Sequence, residues 1–319
     1  MRGVVLDLDS LSPRDLDLQA LQRQLDHWDL HPHTNPDQVH ERIADAQVVV
    51  TNKVALTAGH IQSSPALKLI CVAATGTDNI DLEAATKAGI QVSNARDYAT
   101  ASVVEHVFAL LLTLTRQLDR YRDRVHNGDW RHSREFCLFD ETIGELSGRT
   151  LGIIGYGVLG QAVAQVARAF SMNVQVAQNP HRAPQPDRVS LKTLLATSDV
   201  VTLHCPLNDA TRGLIGASEL AGMKHNAILI NTARGGIVDE QALVNALQKN
   251  QIQSAAIDVL SEEPPNKGNP LLDYRSPRLI VTPHVAWASQ SARQRLVNEL
   301  SENIAAFLRG NQRNAVNRG

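Results

Sequence analysis

The chain has 319 residues, 43% of them hydrophobic and 20% charged, with a formal net charge of -2 at pH 7. That length exceeds one ordinary domain and suits two, and the composition is that of a globular protein able to bury a sizeable core. With no basic block and no acidic tail, nucleic acid and charged membrane surfaces are excluded as expected partners. The three scattered cysteines, Cys71, Cys137 and Cys205, indicate a reducing compartment, not a disulfide framework.

Asp7 and Asp9 interrupt the first apolar stretch, so no secretory signal is expected at the start of the chain. The most apolar run, Val103 to Thr115, carries Glu105 and His106 and is too short to span a bilayer. A cytoplasmic location is expected. In the first hundred residues strands are predicted at 4–8, 48–52, 67–74 and 91–94, with helices at 15–27 and 81–88 between them. Gly89 stands where a helix-terminating glycine belongs. One long helix is predicted over about 101–125, apolar on nearly every side in its first half. An ordered arm follows over 127–142, carrying Trp130, Arg131, Phe136 and Phe139.

A second alternating series then begins. Strands are predicted at 150–154, 174–177, 200–204, 227–231, 254–259 and 279–282, and helices at 159–170, 191–197, 217–223 and 240–249. Asp239 is the predicted N-cap of the last of these, and a final helix is predicted over 289–308. Strand and helix alternating in this way imply an α/β protein with parallel sheets covered on both faces.

Gly155-Tyr156-Gly157-Val158-Leu159-Gly160 follows a predicted strand and opens a predicted helix. In that context it reads as a dinucleotide fingerprint: a tight turn at Gly155, close approach to a pyrophosphate at Gly157, close packing at Gly160. The next strand should end in an acid that bonds the ribose of NAD. It ends instead in Gln178-Asn179, with His181 and Arg182 soon after. The expectation is therefore NADP(H), paired with Arg182, and NAD(H) second, with Asn179 on the ribose hydroxyls.

Ligands of a doubly wound sheet sit beyond the carboxyl ends of its strands. There the sequence has His204-Cys205-Pro206, then Thr232-Ala233-Arg234, then Asp258 followed by Glu262-Glu263, then His284. Reduction of a 2-keto acid needs a proton donor and a cation for the carboxylate. A histidine, steadied by an acid, serves the first need and the planar fork of arginine the second. His284 is the predicted acid/base and Arg234 the substrate clamp, while spacing leaves Glu262 and Glu263 open as the partner of His284. Pro206 is expected to wall the nicotinamide. Asp258 is expected either to hold Arg234 or the nicotinamide amide or to cap nearby backbone. A metal is not expected at His204 and Cys205, which lack further ligands at suitable spacing. His106 reads as a satisfied core histidine, and His31 and His33 as surface residues.

These motifs, with Asn231 to Asp239, Glu263-Pro264 and Pro283-His284, resemble the D-isomer-specific 2-hydroxyacid dehydrogenase family, in its order and over nearly the whole chain. The resemblance implies Arg234, Glu263 and His284 as the catalytic set, Glu263 being chosen because it precedes Pro264. It adds Thr211 to the cofactor contacts and Thr75 and Gly76, within Ala73 to Asp81, as substrate contacts. It implies a flavodoxin-like substrate domain, 1–99 with 286–319, a Rossmann-type cofactor domain, 100–285, and a homodimer built on the long helix. Within the family the chain is most similar to the glycerate dehydrogenase/hydroxypyruvate reductase group, through Glu145 to Gly152 and Trp287. Glu263 sets it apart from the related formate dehydrogenases, which carry Gln there. The expected reaction is reduction of hydroxypyruvate or glyoxylate. The rivals are a dehydrogenase of another small 2-hydroxy acid and a cofactor-sensing, corepressor-like binding protein. Trp287 is left between pocket wall and packing, and Trp130 and Arg131 between a partner subunit's site and the arm.

Overall fold

The computed structural model describes residues 1–180 and 183–317, in two compact units: Met1–Ala99 with Ala288–Gly319, and Thr100–Trp287. The first unit is built on five parallel strands, β1 (Arg2–Val5), β2 (His27–Leu30), β3 (Val48–Thr51), β4 (Leu69–Val72) and β5 (Gln91–Ser93). Their order is β2-β1-β3-β4-β5, the flavodoxin-like winding. β3 and β4 are buried at every position, which is why Val-Val-Val-Thr and Leu-Ile-Cys-Val read as unbroken apolar runs.

The helix predicted over 15–27 is not formed. A 3-10 turn at Pro13–Asp15 and a single helical turn at Gln19–Gln22 occupy its start, and the chain then enters β2. β2 is an edge strand with no buried residue, so its sequence carries no alternation, and it is held by pairing with β1 from Arg2↔His27 to Val5↔Leu30. The helix Leu82–Lys87 forms as expected. The Asp81 carboxylate accepts from Ala84 N, and Gly89 takes φ +70 just past the end. The C-terminal helix Gln290–Leu308, capped by Ser289, belongs to this unit too. Its Arg293 is 9% exposed and donates to both carboxylate oxygens of Asp15 and to the carbonyls of Leu11 and Ser12.

The second unit opens with the long helix, which is two helices, Thr100–Arg116 and Leu118–His126. Gln117 between them stands at φ +55, with its side-chain amide donating to Leu114 O at 2.9 Å. The physical reason is a change of surroundings: the first helix buries nine residues, the second none, so nothing holds the second on the first one's axis. The arm beyond has no helix or strand and leaves Trp130, Phe136 and Phe139 exposed.

Six parallel strands follow: β6 (Thr150–Ile154), β7 (Asn173–Val176), β8 (Val200–Leu203), β9 (Ile228–Asn231), β10 (Ser254–Ile257) and β11 (Leu279–Val281). The order is β11-β10-β9-β8-β6-β7. A one-residue parallel bridge, Ala177↔Val189, extends the sheet beyond β7 and stands where a Rossmann sheet has its third strand. The winding reverses between β6 and β8, so the carboxyl ends of those strands flank the switch point. Leu203, Leu229, Leu243, Leu247 and Ile257 form part of the core around this sheet. Among the described residues no helix is long and apolar enough to cross a membrane.

Candidate active site

The fingerprint lies at the switch point. Gly155 follows β6 at φ +95, and a Cβ there would meet His204 C and Cys205 N, both 2.5 Å away at the end of β8. A Cβ on Gly160 would come to 2.2 Å from Gly155 O, so only glycine lets the helix Val158–Ala169 start this close to its own strand. Gly157 differs: a Cβ there would meet nothing within 4 Å. Gly157 is also the N-cap of that helix without a side-chain cap, and the next residue, Val158, is 56% exposed. Uncapped N–H groups at an open, side-chain-free turn form a cradle for an anion. The residues present thus fit a dinucleotide.

The loop after β7 carries the ribose-reading position. Gln178 N donates to Val189 O at 2.7 Å, and the Gln178 side chain donates to Asn179 O and accepts from Gln185 N. The sequence put Gln178 among the cofactor contacts; its amide is engaged in shaping this loop. Arg182 and His181 lie outside the described residues. Arg188, which drew no attention in the sequence, stands with its guanidinium carbon 4.5 Å from the centre of the Tyr156 ring.

At the other strand ends the predicted acid and base meet. His284 Nδ1 lies 2.6 Å from Glu263 Oε2, and Glu263 Oε1 accepts from Leu260 N at 2.8 Å. One carboxylate oxygen is therefore tied to the backbone of its own loop while the other faces the ring, which leaves Nε2 as the nitrogen free of this pair. His284 has φ +55, and its N–H donates to Asp258 O at 2.7 Å and Thr282 O at 3.0 Å. A histidine held in the left-handed region marks a position that its surroundings over-determine.

Asp258 is 1% exposed and accepts from Thr282 Oγ1, Val285 N and Ala286 N at 2.6, 2.9 and 3.0 Å. Burial alone would raise its pKa. The contacts from His106, Thr282 and the two backbone N–H groups outweigh burial and hold the carboxyl below its usual range. Of the two roles expected for Asp258, backbone capping is the one its contacts display, and what it caps is the segment after His284. His106 Nε2 joins this network, 3.1 Å from Thr282 Oγ1 and 3.5 Å from Asp258 Oδ1. The sequence reading took His106 for a satisfied core histidine; it is half-buried instead, with the Thr282 hydroxyl as its nearer partner.

Arg234 is half-buried, donates to Ala233 O at 2.8 Å and forms no ion pair with a carboxylate among the described residues. Its loop is locked to the Glu263 loop in two ways. A Cβ on Gly235 would fall 1.8 Å from Leu260 O. Glu240, in the helix after Arg234, accepts from Ser261 N, Ser261 Oγ and Asn269 Nδ2 at 2.7, 2.7 and 2.8 Å. Glu262 lies 3.6 Å from exposed Lys267.

Two polar atoms on this rim are buried without a hydrogen-bond partner among the described residues, Thr232 Oγ1 and His204 Nδ1. Such groups are rare unless something satisfies them. Burial pushes the His204 imidazole down to about 4, so the ring is neutral near pH 7. Its Nε2 lies 3.0 Å from Thr202 Oγ1. Cys205 is half-buried and its thiol raised by burial, Pro206 is exposed, and Thr211 Oγ1 donates to Pro206 O at 2.6 Å, closing the turn after β8. Among the described residues no cluster of three or more His, Cys, Asp or Glu side chains could hold a metal.

In the first unit Thr75 follows β4; its hydroxyl donates to Ala95 O at 3.0 Å and its carbonyl accepts from Asn94 Nδ2 at 2.7 Å. These bonds fix the Thr75-Gly76 turn to the end of β5. Trp287, half-buried, ends the second unit.

Known proteins resemble the chain throughout. Residues 108–286 match the model of the D-isomer specific 2-hydroxyacid dehydrogenase NAD binding domain. A glycerate dehydrogenase of Methylorubrum extorquens is 48% identical over 281 residues, 88% of this chain and 88% of that protein. A hydroxypyruvate reductase of Blautia hydrogenotrophica is 37% identical over the full length of both chains, 100% of each. Among solved structures, an acyclic imino acid reductase in complex with NADPH and D-Arg superposes with a TM-score of 0.86 at 30% identity, covering 99% of this chain and 100% of that one.

Proposed function

The chain belongs to the D-isomer specific 2-hydroxyacid dehydrogenase family, and from that premise we propose that it reduces hydroxypyruvate or glyoxylate to the D-2-hydroxy acid. The observation that carries the reading is the 2.6 Å contact between Glu263 and His284 beyond the carboxyl ends of β10 and β11. A bound reduced nicotinamide supplies the hydride. Glu263 holds the imidazole by Nδ1 and orients the ring, so that Nε2 delivers a proton to the carbonyl oxygen as it gains charge. Arg234, with no carboxylate of its own among the described residues, clamps the substrate carboxylate with two parallel N–H donors. Gly155 to Gly160 receive the pyrophosphate, and Thr232 Oγ1 and His204 Nδ1 gain a polar partner when the dinucleotide is bound.

NADPH is the proposed coenzyme, because no acid stands at Gln178-Asn179 to repel a 2′-phosphate. A homodimer is proposed as well. Trp130, Phe136 and Phe139, with Leu118 and Val125 on the helix before them, are exposed apolar side chains, and their exposure supports burial against a second copy. Three free cysteines support a cytoplasmic setting.

Initial rates of NADPH and NADH oxidation, each at limiting concentration, with hydroxypyruvate, glyoxylate and pyruvate, test the proposal. Faster turnover of hydroxypyruvate or glyoxylate than of pyruvate, with NADPH ahead, is expected. Pyruvate ahead would refute the substrate, and NADH ahead the coenzyme. Tight coenzyme binding with no turnover of any of the three acids would favour a sensor instead.

A further inference from the structure

The geometry points to Arg188 as the residue that reads the 2′-phosphate of NADPH, an assignment that rests on the coenzyme proposed above. Three observations place it. Val189 makes the one-residue bridge to Ala177, and Gln178 N donates to Val189 O at 2.7 Å. Arg188 is therefore carried to the end of β7, one residue before the Val189 that binds Gln178, the position where the acid of an NAD-specific site belongs.

The second observation is its direction. The guanidinium lies over the ring of Tyr156, 4.5 Å from the centroid, and Tyr156 is the residue between Gly155 and Gly157 of the fingerprint. The cation thus spans from the ribose-reading strand end to the pyrophosphate turn. The adenosine ribose of a bound dinucleotide has to pass between those two features.

The third is its state. The side chain is 15% exposed, so a long flexible residue is held in place by the ring and the loop. Among the described residues its one carboxylate partner is the neighbouring Asp187, 2.6 Å away, whose side chain is 69% exposed. An ion pair with so exposed an acid is weak. A phosphate with nearly two charges and three acceptor oxygens competes with it favourably, and the flat guanidinium can bond two of those oxygens while its face stays on the tyrosine. Asp187 has a part in the same scheme, since it keeps the guanidinium oriented until a phosphate takes its place.

Calorimetric titration with two fragments, 2′,5′-ADP and 5′-AMP, tests this without turnover, because the fragments differ in the 2′-phosphate. Wild-type protein is expected to bind 2′,5′-ADP the tighter. Arg188→Gln should weaken 2′,5′-ADP by about tenfold to a hundredfold, the worth of a charged hydrogen-bonded contact, and leave 5′-AMP within about twofold. Arg188→Lys should recover part of the loss, because the charge is retained and the fork is not. Thermal unfolding of each variant verifies that it is folded. Equal loss of both fragments in Arg188→Gln would assign Arg188 to holding the loop and overturn the inference. So would an unchanged preference for 2′,5′-ADP in that variant, most clearly if Arg182→Gln removed it, and the coenzyme proposal would then survive. Wild-type protein with no preference for 2′,5′-ADP would overturn both.

Discussion

His284 and Glu263 present the sharpest test. Replacing His284 by Gln removes the titratable nitrogen while retaining a side chain that can reach Glu263. Turnover is expected to fall by about 10²–10⁴-fold, with NADPH binding, followed by fluorescence titration, within a few-fold of wild type. Near-normal turnover would remove His284 from its proposed role. Gly160 offers a separate test of the fingerprint. A methyl group there would sit 2.2 Å from Gly155 O, and backbone cannot yield as a flexible side chain would. Gly160→Ala should cost about 1–3 kcal/mol in urea unfolding and weaken coenzyme binding. His204 carries a pH signature. Its pKa is about 4 in the folded protein against an ordinary 6.5, so between those values the unfolded chain binds a proton that the native state does not. Stability from this residue is thus constant above about pH 6.5 and falls as the pH drops towards 4. His204→Asn, which has no such titration, should show a smaller drop in the urea midpoint between pH 7 and pH 5 than wild type, measured side by side.

The elements that carry the site are locked to one another by short, specific contacts. Glu240 shows how. It stands on the helix Glu240–Gln248, yet its carboxylate accepts three hydrogen bonds from Ser261 and Asn269 on the loop that holds Glu263. Glu240→Ala strips those donors of their acceptor and should cost about 1–3 kcal/mol in stability. It should also lower kcat more than it raises KM for NADPH, because the loop it releases carries the acid and not the coenzyme. A variant with wild-type kcat would show that Gly235 against Leu260 holds the loop alone. The broken long helix teaches a related lesson. Its first half was legible because a long run that is apolar on nearly every side reads as a buried helix. The break at Gln117 was not legible, because glutamine is an ordinary helix residue and nothing local demands a turn. The loss of a burying neighbour decided it. β2 escaped for the same reason, since an edge strand needs no apolar pattern when its partner strand supplies the hydrogen bonds.

As a folding unit, Met1–Ala99 with Ala288–Gly319 depends on a segment far away in sequence. The helix Gln290–Leu308 buries Leu296, Val297, Leu300 and Ile304 and anchors Arg293 on Asp15. A chain ended after Trp287 should therefore lose the ordered core of β1 to β5 while the unit Thr100–Trp287 keeps its own. Hydrogen exchange would show this as unprotected amides in Val48–Thr51 and Leu69–Val72 with Val200–Leu203 still protected. Protection retained in both sheets would mean that the first five strands fold without that helix.

The alternating strands and helices of the second unit, the three fingerprint glycines and the placing of Arg234 and His284 at strand ends were legible from local rules, namely period, turn geometry and the position of a residue at a strand end, whereas Glu263 was separated from Glu262 only by the family resemblance. The cap at Asp239 and the stop at Gly89 belong with the locally legible features. Other features depend on segments that meet after long excursions of the chain. Asp258 gathers His106, Thr282 and the backbone after His284, and Arg188 reaches Tyr156 through a bridge of one residue. Neither arrangement has a spacing or a periodicity to read. Local chemistry is written in neighbouring residues, whereas which distant side chain satisfies a buried acid, or which cation lies over a given ring, is settled when the sheets are assembled and every buried polar group must find a partner.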